Sequence, residues 1–204
     1  MNQNLTEIVF ILDRSGSMSG LENDTIGGFN GFVKNQAALG QTNLTTVLFD
    51  DKYEILHNGI DAGDVVLTGE EYFTRGNTAL LDAVAKTIND VGKRLSETPE
   101  DQRPGKVIFV ITTDGLENAS RKYSYDDVKR MITHQTEKYQ WEFIFMGANI
   151  DVAAEGKRLG IAADRSYGWA STGAGIATMY QELNAYSSGL RTPGPSKSKK
   201  KKKP

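Results

Sequence analysis

The sequence predicts an α/β protein built on a doubly wound, mostly parallel central sheet of about six strands, with one antiparallel edge strand and helices on both faces, a Rossmann-like arrangement. Three observations predict it. Two nearly continuous apolar runs, Ile8 to Leu12 (IVFIL) and Lys106 to Thr112 (KVIFVIT), read as parallel strands, because a strand covered by helices on each side has no polar face to alternate with. Each run ends in a polar, acidic turn. Segments of helical periodicity then alternate with strands along the chain, which specifies right-handed crossovers.

Each element has its own signal. From Leu21 to about Ala38, the residues Leu21, Ile26, Phe29, Phe32, Val33 and Ala37 recur at mostly three- and four-residue steps, the stripe of an amphipathic helix, and Gly40 closes it. Thr45 to Phe49 and Tyr53 to Leu56 are short strands joined by Asp50, Asp51 and Lys52, a link tight enough that one must run antiparallel to the other. Leu80, Leu81, Val84, Ile88, Val91 and Leu95 form the next helical stripe, with Asn77 or Thr78 in place as its N-cap. Pro99 and Pro104 interrupt the chain before the second buried strand. A helix from about Tyr125 to Tyr139, a strand from Glu142 to Met146, a short helix from Val152 to Leu159, a strand near Arg165 to Trp169 and a helix from Thr172 to Tyr186 complete the alternation.

The 204 residues suit one domain, expected over 1–191, followed by a Pro-, Gly-, Ser- and Lys-rich tail over 192–204, expected to be disordered. With 38% hydrophobic and 25% charged residues, the chain is neither a disordered polymer nor a membrane protein, and no apolar run approaches the roughly 20 residues that span a bilayer. There is no cysteine, so neither disulfides nor thiolate zinc sites are available. The N-terminus has no basic, apolar secretory pattern. Together these predict a cytoplasmic protein. The tail holds six of the 24 basic residues and no acid, which leaves the rest of the chain near −8, unsuited to general nucleic-acid binding. The run Lys199 to Lys203 reads first as a solvated tail, and otherwise as a nonspecific anchor for nucleic acid or anionic lipid or as an added solubility segment; it is too short for high affinity on its own.

In an open α/β sheet, ligands sit outside the carboxyl ends of the strands, where strand order reverses. The polar residues just after the two buried strands are therefore the informative ones. After the first stands DRSGS, with Asp13, Ser15 and Ser17; after the second stands Asp114; between them, at the start of the Leu80 helix, stands Thr78. Two carboxylates and three hydroxyls form an all-oxygen donor set, which suits Mg2+ or Mn2+ and not zinc. His57 and His134 lie in other segments and do not pair at metal-ligand spacing. Singly, each residue also fits a local structural role: Asp13, Ser15 and Ser17 as turn formers, Thr78 as a helix cap, Asp114 with Gly115 as a turn. It is their joint placement that points to a metal. Arg14, Arg75, Asn77, Glu117 and Asn118 flank the five as a partner-selecting rim or, each taken singly, as solvated surface; Asn149 and Asp151 follow a strand and are further candidates for the same edge, Asp151 equally as the first turn of its helix. Trp141, Phe143, Phe145 and Trp169 read as core.

DRSGS, together with Thr78 and with Asp114 in TTDG, resembles the metal-ion-dependent adhesion site of von Willebrand factor A domains, and the match runs over about residues 7 to 187. The resemblance implies a small stand-alone cytosolic bacterial or phage protein, with Ser15, Ser17 and Thr78 as direct ligands. Asp13 and Asp114 would act largely through metal-bound water, and a glutamate or aspartate of a protein partner would complete the coordination. It implies a binding module and no catalysis. Recruitment of such a chain into a multi-protein ATPase, stress-response or phage–host complex is a second reading. A metal-dependent hydrolase is a third, disfavoured because no P-loop, no G-x-S-x-G and no histidine base accompanies Asp13.

Overall fold

The computed structural model describes residues 1–191. The expected Lys-rich tail at 192–204 lies outside the described residues. Six strands form one sheet: β1 (Asn2–Asp13), β2 (Thr42–Phe49), β3 (Tyr53–Asp61), β4 (Pro104–Thr113), β5 (Glu142–Gly147) and β6 (Ser166–Gly168). Their order is β3-β2-β1-β4-β5-β6, all parallel except β3, which pairs antiparallel with β2 at one edge. Five helices cover the sheet: α1 (Glu22–Ala38), α2 (Leu80–Glu97), α3 (Tyr125–Tyr139), α4 (Val152–Leu159) and α5 (Gly173–Arg191). The mixed sheet with one antiparallel edge strand is the one the sequence predicts.

Strand β1 shows why its sequence is apolar throughout. Successive side chains point to opposite faces. Ile8, Phe10 and Leu12 enter a core with Phe29 and Phe32 of α1 and Tyr180 of α5, while Val9 and Ile11 enter a second core with Leu80, Val84 and Ile88 of α2. The first core is bound by aromatic packing: the Phe10 ring lies 5.3 Å from Phe29 and 5.7 Å from Phe32, both edge-on, a geometry favoured by the ring quadrupole. In the second, Phe109 stacks on Trp141 at 5.1 Å and on Phe143 at 4.8 Å. Gly28 lets α5 close on α1, because a side chain there would collide with the Tyr180 ring.

The boundaries differ from the sequence reading where partners decide them. Strand β1 begins at Asn2 and β3 runs on to Asp61, because pairing to neighbouring strands extends past the apolar stretches. Helix α5 continues five residues past Tyr186, to Arg191, whose guanidinium bonds Gln36 and Thr42 across the α1–β2 junction. The largest difference lies at the start of α2. Its N-cap position is Ala79, and neither Asn77 nor Thr78 caps it. The open amides are satisfied from the chain after β4: Leu81 N–H donates to Glu117 Oε2 (2.9 Å) and Asp82 N–H to Ser120 Oγ (3.0 Å). Thr78 is thereby released from capping.

Candidate metal site

Strand order reverses between β1 and β4: from β1 the chain moves outward to β2, and from β4 it moves the other way to β5. The register pairs Leu12 with Thr112, so Asp13 and Thr113 end side by side at the carboxyl edge. Thr113 Oγ1 donates to Asp13 Oδ2 (2.6 Å), the Ser15 amide donates to Asp13 Oδ1 (2.7 Å), and Tyr72 Oη donates to the Asp13 carbonyl (2.7 Å). Asp13 is wholly buried. Burial pushes its carboxyl up to about 6, against the pull of the hydrogen bonds from Thr113 and Ser15, and the nearby charge of Asp114 adds to the rise.

Three loops meet above this point. Ser15 Oγ and Ser17 Oγ are 3.1 Å apart, and the Ser17 hydroxyl donates to Asp114 Oδ1. Asp114 Oδ2 is buried without a hydrogen-bond partner. Burial raises the Asp114 carboxyl as well, while the Ser17 hydroxyl, its own amide and the Ser171 hydroxyl hold it down. Thr78 reaches the same place from the loop before α2: a methyl built on Gly115 would stand 3.5 Å from Ser17 Oγ and 3.8 Å from Thr78 Oγ1, so both hydroxyls border one small space. The Thr78 backbone is fixed by Asn118 Oδ1 on its amide (2.9 Å) and by the amides of Asn118 and Ala119 on its carbonyl. The structure thus brings Asp13, Ser15, Ser17, Thr78 and Asp114 to one edge of the sheet.

The donor set suits a hard cation. Every converging side-chain atom is oxygen, three of the five groups are neutral hydroxyls, and one carboxylate oxygen is buried and unpaired, a costly state that a cation would relieve. Among the described residues no group of three or more His, Cys, Asp or Glu side chains is arranged to hold a metal, at this edge or elsewhere; the candidate set has two carboxylates and relies on hydroxyls for the rest. A groove of about 750 Å³ lies between α2 and α3 near the amino ends of β4 and β5, and none of the five residues lines it.

The expected rim is mostly not a rim. Arg14 is buried, 1% exposed, and turned away from the hydroxyls: its Nε donates to Asp50 Oδ2 (3.1 Å), Nη2 to Glu54 Oε2 (2.7 Å) and Nη1 to the Glu71 carbonyl (3.4 Å). Arg75, 37% exposed, donates through Nε to the same Asp50 oxygen at 2.6 Å. Both guanidinium groups lie against the Phe73 ring, 5.6 and 5.1 Å from its centroid. Glu117 is occupied by amides, and Asn118 by the Thr78 amide. Asp151 caps α4 through the Ala154 amide, whereas Asn149, at φ 58°, donates to the Asp114 carbonyl (3.5 Å) and does stand beside the site. Asn77 remains exposed. Sequence reasoning missed Thr113, Tyr72 and Asp50. Thr113 adjoins Asp114 in TTDG, and that adjacency was its one available signal; Tyr72 and Asp50 reach the site only through the fold.

No protein-family model matches the chain, and no curated protein matches it. Solved structures do resemble it. The vWF domain of a type V pili tip protein from Porphyromonas gingivalis superposes with a TM-score of 0.69 at 10% identity, covering 93% of this chain and 97% of that one. The manganese-loaded TRAP protein of Plasmodium vivax gives 0.62 at 14% identity, covering 90% and 75%. Proximal thread matrix protein 1 from the mussel byssus, in a structure with a zinc-occupied MIDAS motif, gives 0.61 at 14% identity. That match covers 92% of this chain and 47% of the mussel chain, so the chain spans about half the length of that protein. At these identities the likeness shows the fold, which is that of a von Willebrand factor A domain.

Proposed function

We propose that this chain is a non-enzymatic, metal-dependent protein-binding module that holds Mg2+, or Mn2+, at its adhesion-type site and engages an Asp or Glu side chain of a partner protein. The observation that carries the reading is the convergence of the Ser15, Ser17 and Thr78 hydroxyls on an Asp114 carboxylate whose second oxygen is buried and unpaired. Ser15, Ser17 and Thr78 would hold the ion, and Asp13 and Asp114 would orient its remaining shell. The bound ion supplies a Lewis-acidic position for an incoming carboxylate oxygen. Holding the ion largely by neutral groups leaves that position attractive to an external acid. The metal-loaded states named for the Plasmodium and mussel proteins support a divalent ion in this fold.

Asp13 has no histidine beside it to serve as a base: its side chain is engaged by Thr113 and the Ser15 amide, and His134 lines the groove near the amino ends of β4 and β5. Cytosolic location is part of the proposal, supported by the cysteine-free sequence. Among the described residues no helix is long and apolar enough to cross a membrane.

The test is a pull-down from source-cell extract with the wild-type chain in Mg2+, the same chain in chelator, and Asp13→Ala in Mg2+. Capture of a defined protein in the first arm alone supports the reading, and capture undiminished in the other two refutes it. Fractionating the cells tests the location. Native mass measurement of the captured complex separates a one-to-one module from a subunit recruited to a larger assembly.

A further inference from the structure

Five oxygens converge only if three loops keep register. The first and third, at residues 13–17 and 113–119, continue from β1 and β4, which are paired side by side. The second, which carries Thr78, belongs to the long connection between β3 and α2 and follows no strand directly. It is tied to the third loop, where Asn118 and Ala119 hold the Thr78 backbone, and also to the first loop and to the β2–β3 turn. The Arg75 amide donates to the Arg14 carbonyl (2.8 Å), the Gly16 amide to the Gly76 carbonyl (3.2 Å) and the Ala79 amide to the Asp50 carbonyl (2.9 Å). Gly76, at φ 67°, lies so close over the turn that any side chain would strike Asp51.

Asp50 stands at the centre of these ties. One carboxylate oxygen receives both Arg14 Nε and Arg75 Nε, the other closes the turn on the Lys52 amide (2.6 Å), and its carbonyl holds the residue just after Thr78. It is fully buried, and so is Arg14. A buried acid shared by two arginines is costly to assemble and costly to break, since removing it strands a buried cation. Here each arginine belongs to a different ligand-bearing loop.

We propose that Asp50 is a positioning residue for the metal site, holding the Ser15–Ser17 loop and the Thr78 loop in the register at which their hydroxyls converge. The inference rests on the metal-binding reading for its purpose, though not for the geometry it describes.

Asp50→Asn keeps the size of the side chain and the Lys52 bond while removing the shared charge. Amide hydrogen exchange in chelator examines the clamp without any metal: segments 14–18 and 74–79 are expected to exchange about tenfold faster, with the interiors of β1 and β4 unchanged. Calorimetry with Mg2+ alone examines its purpose: affinity is expected to fall about tenfold or more, as for residues that orient metal ligands. Unchanged exchange in both segments overturns the proposal, as does a loss of protection spread evenly through the core. Should Asp50→Asn fail to fold, Arg75→Gln cuts the same tie from the more exposed side. It is expected to loosen segment 74–79 and to weaken Mg2+ about threefold; no change in either would overturn the proposal. A wild-type chain that binds neither Mg2+ nor Mn2+ sinks the metal reading, and the exchange results still decide on the clamp.

Discussion

Two ion pairs are buried along β1, one in its amino-terminal half at Glu7 and one just past its carboxyl end at Arg14, and the pairs are built differently. At the amino end, Glu7 is fully buried; its Oε1 accepts from Arg94 (2.6 Å) and Thr45 (2.7 Å), but Glu7 Oε2 and Arg94 Nε have no partner. At the carboxyl end, all three guanidinium nitrogens of Arg14 and both carboxylate oxygens of Asp50 are engaged. The amino-end pair joins β1, β2 and α2, elements that their apolar faces already hold together. The carboxyl-end pair joins loops, which meet the core only at their flanks, through Met18 and Tyr72. Full satisfaction is found between irregular loops, and partial satisfaction between paired strands and a packed helix face.

The contrast can be broken or sharpened by experiment. Arg94→Met leaves the Glu7 charge buried and uncompensated, and should cost roughly 3 kcal/mol in urea unfolding. Adding Glu7→Leu should recover most of that loss. Mg2+ affinity of the folded chain should be the same in all three; if it falls with stability, the two ends are not independent. Asp13→Ala should do the reverse, weakening Mg2+ by about 100-fold in calorimetry. In chelator at neutral pH it should change stability little, because relief of a carboxylate penalised by burial offsets the acceptor lost to Thr113 and the Ser15 amide.

The pH dependence follows from the same residue. The Asp13 carboxyl lies at about 6 when folded and at the ordinary 3.8 when unfolded, so the folded state binds the proton more tightly. Its contribution to stability is therefore complete below the unfolded value and is lost as pH rises through about 6. In chelator the melting temperature should decline over that window. With Mg2+ present the decline should shrink or vanish, because the ion favours the carboxylate. The smallest expected effect is that of Thr113→Val, which removes a hydrogen bond that lowers the Asp13 value. It should move the chelator transition to higher pH and leave the amino-end pair untouched, as the same melting series would report.

Much of this was legible in the sequence. Ile8 to Leu12 and Lys106 to Thr112 announce central parallel strands because burial on both faces leaves no choice of residue. Asp13, Ser15, Ser17 and Asp114 stand out because they begin where such strands stop, and Thr78 because it stands at the start of the Leu80 helix. What could not be read depends on contacts made far along the chain. Thr78 sits where a local rule expects a helix cap, yet the capping groups come from Glu117 and Ser120, in the loop after β4. Arg14 sits in a polar loop, where arginine is ordinarily exposed, and its burial follows from Asp50 and Glu54 on the β2–β3 hairpin. Tyr72 lies in a stretch without periodicity, and only its bond to the Asp13 carbonyl gives it meaning.

The strand order has a mechanical side. Asp13 and Asp114 lie where β1 and β4 end, and these are the third and fourth of six strands, each flanked by a parallel neighbour on both sides. A partner pulling on the site along the strand axis would load β1 and β4 lengthwise. The ladder hydrogen bonds lie across that axis, so they would share the strain together in shear instead of opening one after another. A load applied at an edge strand would peel it; a load applied at this site would be rooted in the middle of the sheet.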